Sequence, residues 1–151
     1  MAEYTFHVAG RPMPQPRTRA RAFKLPSGKG TARVYTPTSI SEWKLLVYNA
    51  ALQTRPPRPS VLPMDVSLEF ILPRPKGHYG TGRKASEVRP SSPEYPIGNR
   101  DDIDNLIKAV LDAITQSGLW RDDSQIVSLD ATKQYQSTTH SPGVMVSILE
   151  L

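Results

Sequence analysis

The chain has 151 residues, no cysteine, 19 Lys and Arg against 14 Asp and Glu, and an apolar fraction of 38%. These values describe one domain able to bury a core without disulfides, and they exclude a thiolate zinc site, a cysteine nucleophile and a membrane span. A net charge of +5 favours an anionic partner. The start Met1-Ala2-Glu3-Tyr4 lacks the basic and apolar regions of a signal peptide, so a cytoplasmic protein is expected.

In chain order, Glu3 to Val8 alternates, with Tyr4, Phe6 and Val8 on one face, and predicts a first strand. Residues 10–38 are rich in proline and basic residues and predict a long loop, with a short extended piece around Arg33-Val34-Tyr35. Ser39 and Glu42 have the spacing of a capping box. The helix after it places Trp43, Leu46, Val47, Ala50 and Ala51 on one stripe and ends at Pro56-Pro57.

Met64 to Leu72 alternates again as a strand, with Val66, Leu68, Phe70 and Leu72 facing a core. Residues 73–100 show no periodicity and predict a second long basic loop, of a length usually functional or disordered. A second helix carries the stripe Ile103, Leu106, Ile107, Val110, Leu111 and Ile114, and Gly118 is its natural stop. Two strands follow, roughly Gln125 to Tyr135 and Val144 to Leu151, with a turn around Ser141-Pro142-Gly143. The order β-α-β-α-β-β predicts an α+β fold, a single mixed sheet flanked by helices, in one domain over residues 1–151.

Charge is unevenly placed. Half of the 14 acids lie between Asp101 and Asp130, while basic residues crowd the two loops. Arg17, Arg19, Arg21 and Lys24 in the first loop, with Lys76, Arg83, Lys84 and Arg100 in the second, have the distribution expected of phosphate contacts. Basic loops also serve as solvated surface, and alone they are a weak signal of nucleic acid.

The acidic residues are the sharper signal. Asp102 and Asp104 are two apart at a helix start, where the helix dipole favours carboxylates and where aspartates are also common as caps. Lys108 is one turn past Asp104 and suits either an ion pair with Asp104 or Asp112 or a contact to phosphate. Asp122-Asp123 follows the same helix. Oxygen-rich carboxylates beside basic loops fit Mg²⁺ and phosphodiester hydrolysis, since Mg²⁺ takes one or two carboxylates and fills its remaining positions with water and phosphate. No P-loop, dinucleotide fingerprint or EF-hand occurs, so no nucleotide cofactor is expected. Lys133 shares the strand phase of Val127, Leu129 and Ala131, an odd position for a lysine if that face is core, and is placed at the edge of the site as a further DNA contact. Trp43, Leu119 and Trp120 read as core.

The run Asp102-Ile103-Asp104-Asn105-Leu106-Ile107-Lys108, continuing through Asp112, Gly118-Leu119-Trp120 and Asp122-Asp123-Ser124-Gln125 to Lys133 and Tyr135, closely resembles the RusA family of Holliday junction resolvases. The likeness is specific over Asp101 to Tyr135 and looser before it. Many members have proline where this chain has Asp101. The resemblance implies a homodimeric endonuclease, often carried by bacteriophages or prophages, that resolves four-way DNA junctions by paired nicks in recombination and repair. The resemblance also implies dependence on Mg²⁺, for which Mn²⁺ could substitute. The family's catalytic set falls on Asp102, Asp104, Asp123 and Lys108, with the three aspartates as metal ligands. Two other readings stand beside it: a Mg²⁺ nuclease on other branched DNA, and a non-catalytic, structure-selective DNA-binding protein whose aspartates are caps.

Overall fold

The computed structural model describes residues 1–16, 19–24, 30–35 and 39–151, with only the backbone described over 19–24, 30–35 and at Ser39. Alternation produces the expected first strand, β1 (Glu3–Ala9), with Phe6 and Val8 buried. A hairpin then interrupts the region predicted as loop. β2 (Arg19–Lys24) pairs antiparallel with β3 (Gly30–Tyr35), from Arg19 opposite Tyr35 to Lys24 opposite Gly30. The missed signal was the alternation Arg19-Ala20-Arg21-Ala22, a period of two in residues of low strand propensity.

Helix α1 (Ser39–Thr54) follows, and the capping box expected of Ser39 and Glu42 lies outside the described side chains. Its buried stripe is Ile40, Trp43, Val47 and Ala51. Leu46, expected in that stripe, is 47% exposed. It sits at the margin of the helix, over Gly10, whose missing side chain leaves room for Leu46 and Trp43.

Strand β4 (Met64–Leu72) has the predicted bounds, and all its alternate residues from Met64 to Leu72 are buried. The loop expected at 73–100 is folded rather than formless. Single 3-10 turns occur at Lys76–His78 and Gly82–Lys84, and Tyr79 bridges to Val88. Arg74 Nη1 donates to the Pro93 carbonyl at 2.8 Å, and Arg89 Nε donates to the Tyr79 carbonyl at 2.7 Å. Guanidinium groups thus satisfy backbone oxygens that the absence of regular structure would otherwise leave open.

Helix α2 (Ile103–Ser117) buries Leu106, Val110, Leu111 and Ile114 and stops at Gly118, whose φ of 79° is the left-handed conformation that glycine adopts without strain. Arg55 Nη1 donates to the Ser117 carbonyl at 2.7 Å, placing a cation on the negative end of that helix. Strand β5 (Ile126–Tyr135) then runs parallel to β4, and β6 (Gly143–Glu150) closes the sheet between β1 and β4. The sheet order is β1-β6-β4-β5, mixed, with α1 and α2 packed on the face that carries the core. This is the α+β architecture expected from the sequence, with the β2–β3 hairpin added.

Because β5 is an edge strand, its inward phase is only partly covered. Val127 and Leu129 are 65% and 43% exposed, and a register shift near Met64 displaces Val127 from the regular alternation. The odd placement of Lys133 is thereby explained: that phase is a rim, where a long side chain can bury its stem and carry its ammonium to a polar partner. Among the described residues no helix is long and apolar enough to cross a membrane.

Candidate functional site

The unit β4–α2–β5 is a strand, a crossover and a parallel strand, so the carboxyl ends of β4 and β5 lie side by side and α2 starts next to them. In such units ligands bind outside the carboxyl ends of the strands. Asp102 immediately precedes α2 with extended dihedrals, φ −63° and ψ 132°, and its carbonyl accepts the first helical bond from the Leu106 amide at 3.0 Å. Its carboxylate makes no capping hydrogen bond. Asp104 lies in the first turn and accepts from the neighbouring Asn105 amide at 2.9 Å. The helix dipole favours both charges there.

Three contacts fix this corner. Lys133 Nζ, from the end of β5, donates to the Asp101 carbonyl at 2.8 Å. The Gln15 amide donates to the Asn105 carbonyl at 2.8 Å. Arg11 Nη2 pairs with Asp101 Oδ2 at 3.4 Å. Gly10, with φ of 138°, turns the chain out of β1 so that Arg11 to Gln15 can reach this corner. The lysine in the core-facing phase of β5 is therefore a positioning residue for the backbone that leads into Asp102.

At the other end of α2 the second acidic pair divides its labour. Asp122 caps the 3-10 turn Asp123–Gln125 in a reciprocal capping box with Gln125. Gln125 Oε1 accepts from the Arg121 and Asp122 amides, and its Nε2 donates to the carbonyls of Ser60 and Leu62. The turn is thus fastened to the segment before β4. A hydrogen bond from Ser124 holds the Asp122 carboxyl below the usual carboxylate range. Asp123 is half-buried; its carboxylate makes no ion pair among the described residues and lies within hydrogen-bond reach of the Asp122 carboxyl.

Lys108 pairs with Asp112 at 3.0 Å and not with Asp104. The Asp112 hydrogen bond and charge raise the lysine above its ordinary value, with a smaller contribution from Asp123. Asp123 is thus near enough to act on Lys108 through its charge, without an ion pair between them. Asp112 is shared, because Lys44 of α1 also reaches it at 3.8 Å. The sequence offered no sign of that second cation.

Asp102 and Asp104 thus mark the start of α2, and Asp123 lies in the turn after the helix. Among the described residues no group of three Asp, Glu, His or Cys side chains is arranged to hold a metal ion. The donor chemistry still suits a hard divalent cation, which needs only one or two carboxylates. Asp102 and Asp104 supply two, and both keep free lone pairs.

Of the basic residues singled out in the sequence, Lys76, Arg83, Lys84 and Arg100 are exposed on the 73–100 loop, while Lys133 is tied to Asp101. Arg17 lies outside the described residues, and the side chains of Arg19, Arg21 and Lys24 do also, although their backbone is in β2. The contacts made by Arg11, Arg74 and Gln125 escaped sequence reasoning. Their partners lie 90, 19 and 65 residues away, so no local pattern could reveal them.

Comparison with known proteins adds two findings. The family described as "Endodeoxyribonuclease RusA" matches residues 9–149. Proteins named "Crossover junction endodeoxyribonuclease RusA" from Escherichia coli (strain K12) and Shigella sonnei (strain Ss046) are each 47% identical over 38 residues, which cover 25% of this chain and 32% of the relative.

Proposed function

The chain belongs to the RusA family, and from that premise we propose that it is an endodeoxyribonuclease that nicks four-way DNA junctions in recombination and repair. The observation that carries the reading is the pattern of carboxylates along α2. Asp102 makes no capping bond and Asp123 makes no ion pair among the described residues. Carboxylates kept by folding alone would be engaged by the elements they precede, as Asp122 is by the Ser124 hydroxyl. That contrast favours an enzyme over a DNA-binding protein whose aspartates are only caps.

Asp102 and Asp104 are the residues that would hold Mg²⁺, or Mn²⁺ in its place, with Asp123 as the third acidic group of the site. When bound, such a cation supplies charge neutralisation at the phosphate and a more acidic water. The chain's own contribution is positioning. Lys133 and Gln15 hold the backbone of the α2 start, and the Gln125 network holds the turn bearing Asp123. Lys108, held by its ion pair with Asp112, presents a positive charge suited to the charge that grows on a phosphate in the transition state. Exposed Lys76, Arg83, Lys84 and Arg100, with Arg17, Arg19, Arg21 and Lys24 in the sequence before α1, supply phosphate contacts of the kind that confer affinity without reading sequence. A homodimer in the cytoplasm completes the proposal, since a two-fold pair presents equivalent sites to the two symmetry-related strands of a junction.

The test is a labelled synthetic four-way junction incubated with Mg²⁺, with Mn²⁺ and with chelator, beside duplex and flap controls. Paired nicks in the junction that need the metal are expected. Equal cleavage of flaps would move the assignment to branched DNA in general, and salt-sensitive binding without nicking would leave only a DNA-binding protein.

A further inference from the structure

A cleft of about 290 Å³ opens at the carboxyl ends of β4 and β5, lined among others by Arg11, Arg74, Pro96, Arg100, Asp101 and Tyr135. Three guanidinium groups face one carboxylate there, so the cleft is cationic. Arg74 is pre-set: its guanidinium carbon lies 4.2 Å from the centre of the Tyr135 ring, His78 packs edge-on against that ring, and the loop carbonyls of Pro93 and Glu94 accept from its nitrogens. Its charge meets no carboxylate among the described residues. Arg100 is exposed, with no side-chain partner among those residues.

The Arg11–Asp101 pair is poorly made. The contact is long, at 3.4 Å through one nitrogen, and it leaves Arg11 Nε and Asp101 Oδ1 both buried and without a partner among the described residues. An arginine matched to its partner would present two parallel N–H groups to two oxygens. Here the carboxylate fills the place of an acceptor without satisfying the fork.

We propose that this cleft is a binding site for a backbone phosphate of the DNA strand, next to the acidic face of α2, and that Asp101 is an internal competitor which the phosphate displaces from Arg11. The inference rests on the endonuclease reading and adds to it a second anchoring point, made of Arg11, Arg74 and Arg100. A phosphodiester carries two terminal oxygens and one negative charge, so it can accept from Arg11 Nε and its neighbouring nitrogen together. Asp101 and Asp102 are adjacent, so a strand seated in the cleft passes the residues that would hold the metal.

The experiment measures binding of a fluorescent four-way junction and a plain duplex in chelator, across a salt series, for wild type, Arg11→Gln, Arg100→Gln and Asp101→Asn. Melting curves confirm folding, and exposed Arg100 carries the test if Arg11→Gln does not fold. Each arginine variant is expected to weaken binding about fivefold to tenfold and to lower the slope of log K against log salt by about 0.9. Asp101→Asn is expected to tighten binding severalfold, because the competitor loses its charge. Millimolar inorganic phosphate should not reproduce the effect of the missing arginine; if it abolishes wild-type binding at constant ionic strength, the cleft is a site for free phosphate and the assignment to the DNA backbone is wrong. Arginine variants that bind like a wild type able to cleave junctions would overturn the cleft and spare the enzyme. A wild type that binds junctions with the expected slope change on Arg100→Gln, yet never nicks them, would do the reverse. A wild type that binds neither DNA would remove both.

Discussion

Two acidic pairs bracket α2, and in each pair the two neighbours meet different surroundings. Asp101 faces Arg11, and beside it Asp102 makes no capping bond. Asp122 accepts from Ser124 at the start of a turn, and beside it Asp123 makes no ion pair among the described residues. Identical side chains in adjacent positions thus belong to different networks, because successive residues in extended or turn geometry point to different sides of the chain. The Asp122–Gln125 pair fixes the turn from which Asp123 projects, and the Asp101 carbonyl, held by Lys133, fixes the backbone before Asp102.

The largest effect that could break this division is at the α2 start. Asp102→Asn and Asp104→Asn should each lower junction cleavage by at least about a hundredfold, the loss expected when a charge acting on the transition state is removed. Binding should persist, since affinity comes from basic contacts. Asp101→Asn should cleave at a rate near wild type. Rates measured at saturating protein separate the two classes.

Lys108→Ala sharpens the same comparison from the cation's side. As an exposed ion pair with Asp112, Lys108 would contribute only a few tenths of a kcal/mol to stability. As a fixed charge beside a phosphate it would contribute about 3 kcal/mol to the rate, or roughly a hundredfold. We expect single-turnover cleavage to fall by that factor with the melting temperature nearly unchanged, and Lys108→Arg to restore only part of it. An alanine variant within a few-fold of wild type would leave Lys108 as surface.

Stability should follow the structural members instead. Gln125→Ala removes hydrogen bonds to the carbonyls of Ser60 and Leu62 and should cost about 1 to 2 kcal/mol in denaturant melts. The Asp122 carboxyl is lowered below its ordinary 3.8, so its contribution is present above that pH and is lost as pH falls through the folded value. Asp122→Asn should therefore be less stable than wild type at neutral pH, with the difference closing below about pH 3.8. The smallest expected effect is at Asp112. Asp112→Asn should let Lys108 titrate closer to its ordinary 10.5, read by NMR of the lysine side chain. The lysine is raised in the wild type, so what its pair contributes is present below 10.5 and is lost only at higher pH.

The sequence made β4 and α2 legible because their periodicities are strong and agree with their bounds. Met64 to Leu72 alternates throughout, and Gly118 supplies the left-handed stop. Of the β2–β3 hairpin only the extended piece at Arg33-Val34-Tyr35, in β3, was legible; β2 was hidden because its alternating residues are Arg and Ala, not large apolar side chains. Leu46 was misplaced because a helix stripe read from one sequence has no knowledge of where its neighbours end. At the site, the acidic residues and the lysine could be named from spacing and family likeness. What could not be read was which of two adjacent aspartates is occupied, since Arg11 and Gln125 come to them through tertiary contacts.

Asp122 and Asp123 share a turn, and they give the most direct test of the division between structural and functional carboxylates. Asp122→Asn and Asp123→Asn should be compared in single-turnover cleavage of one four-way junction at saturating Mg²⁺, with melting curves alongside. The account predicts that Asp123→Asn loses cleavage by at least about a hundredfold and keeps its stability, while Asp122→Asn cleaves within a few-fold of wild type and melts earlier. Near wild-type cleavage by Asp123→Asn, or loss of cleavage in a folded Asp122→Asn with Asp123 intact, would contradict it.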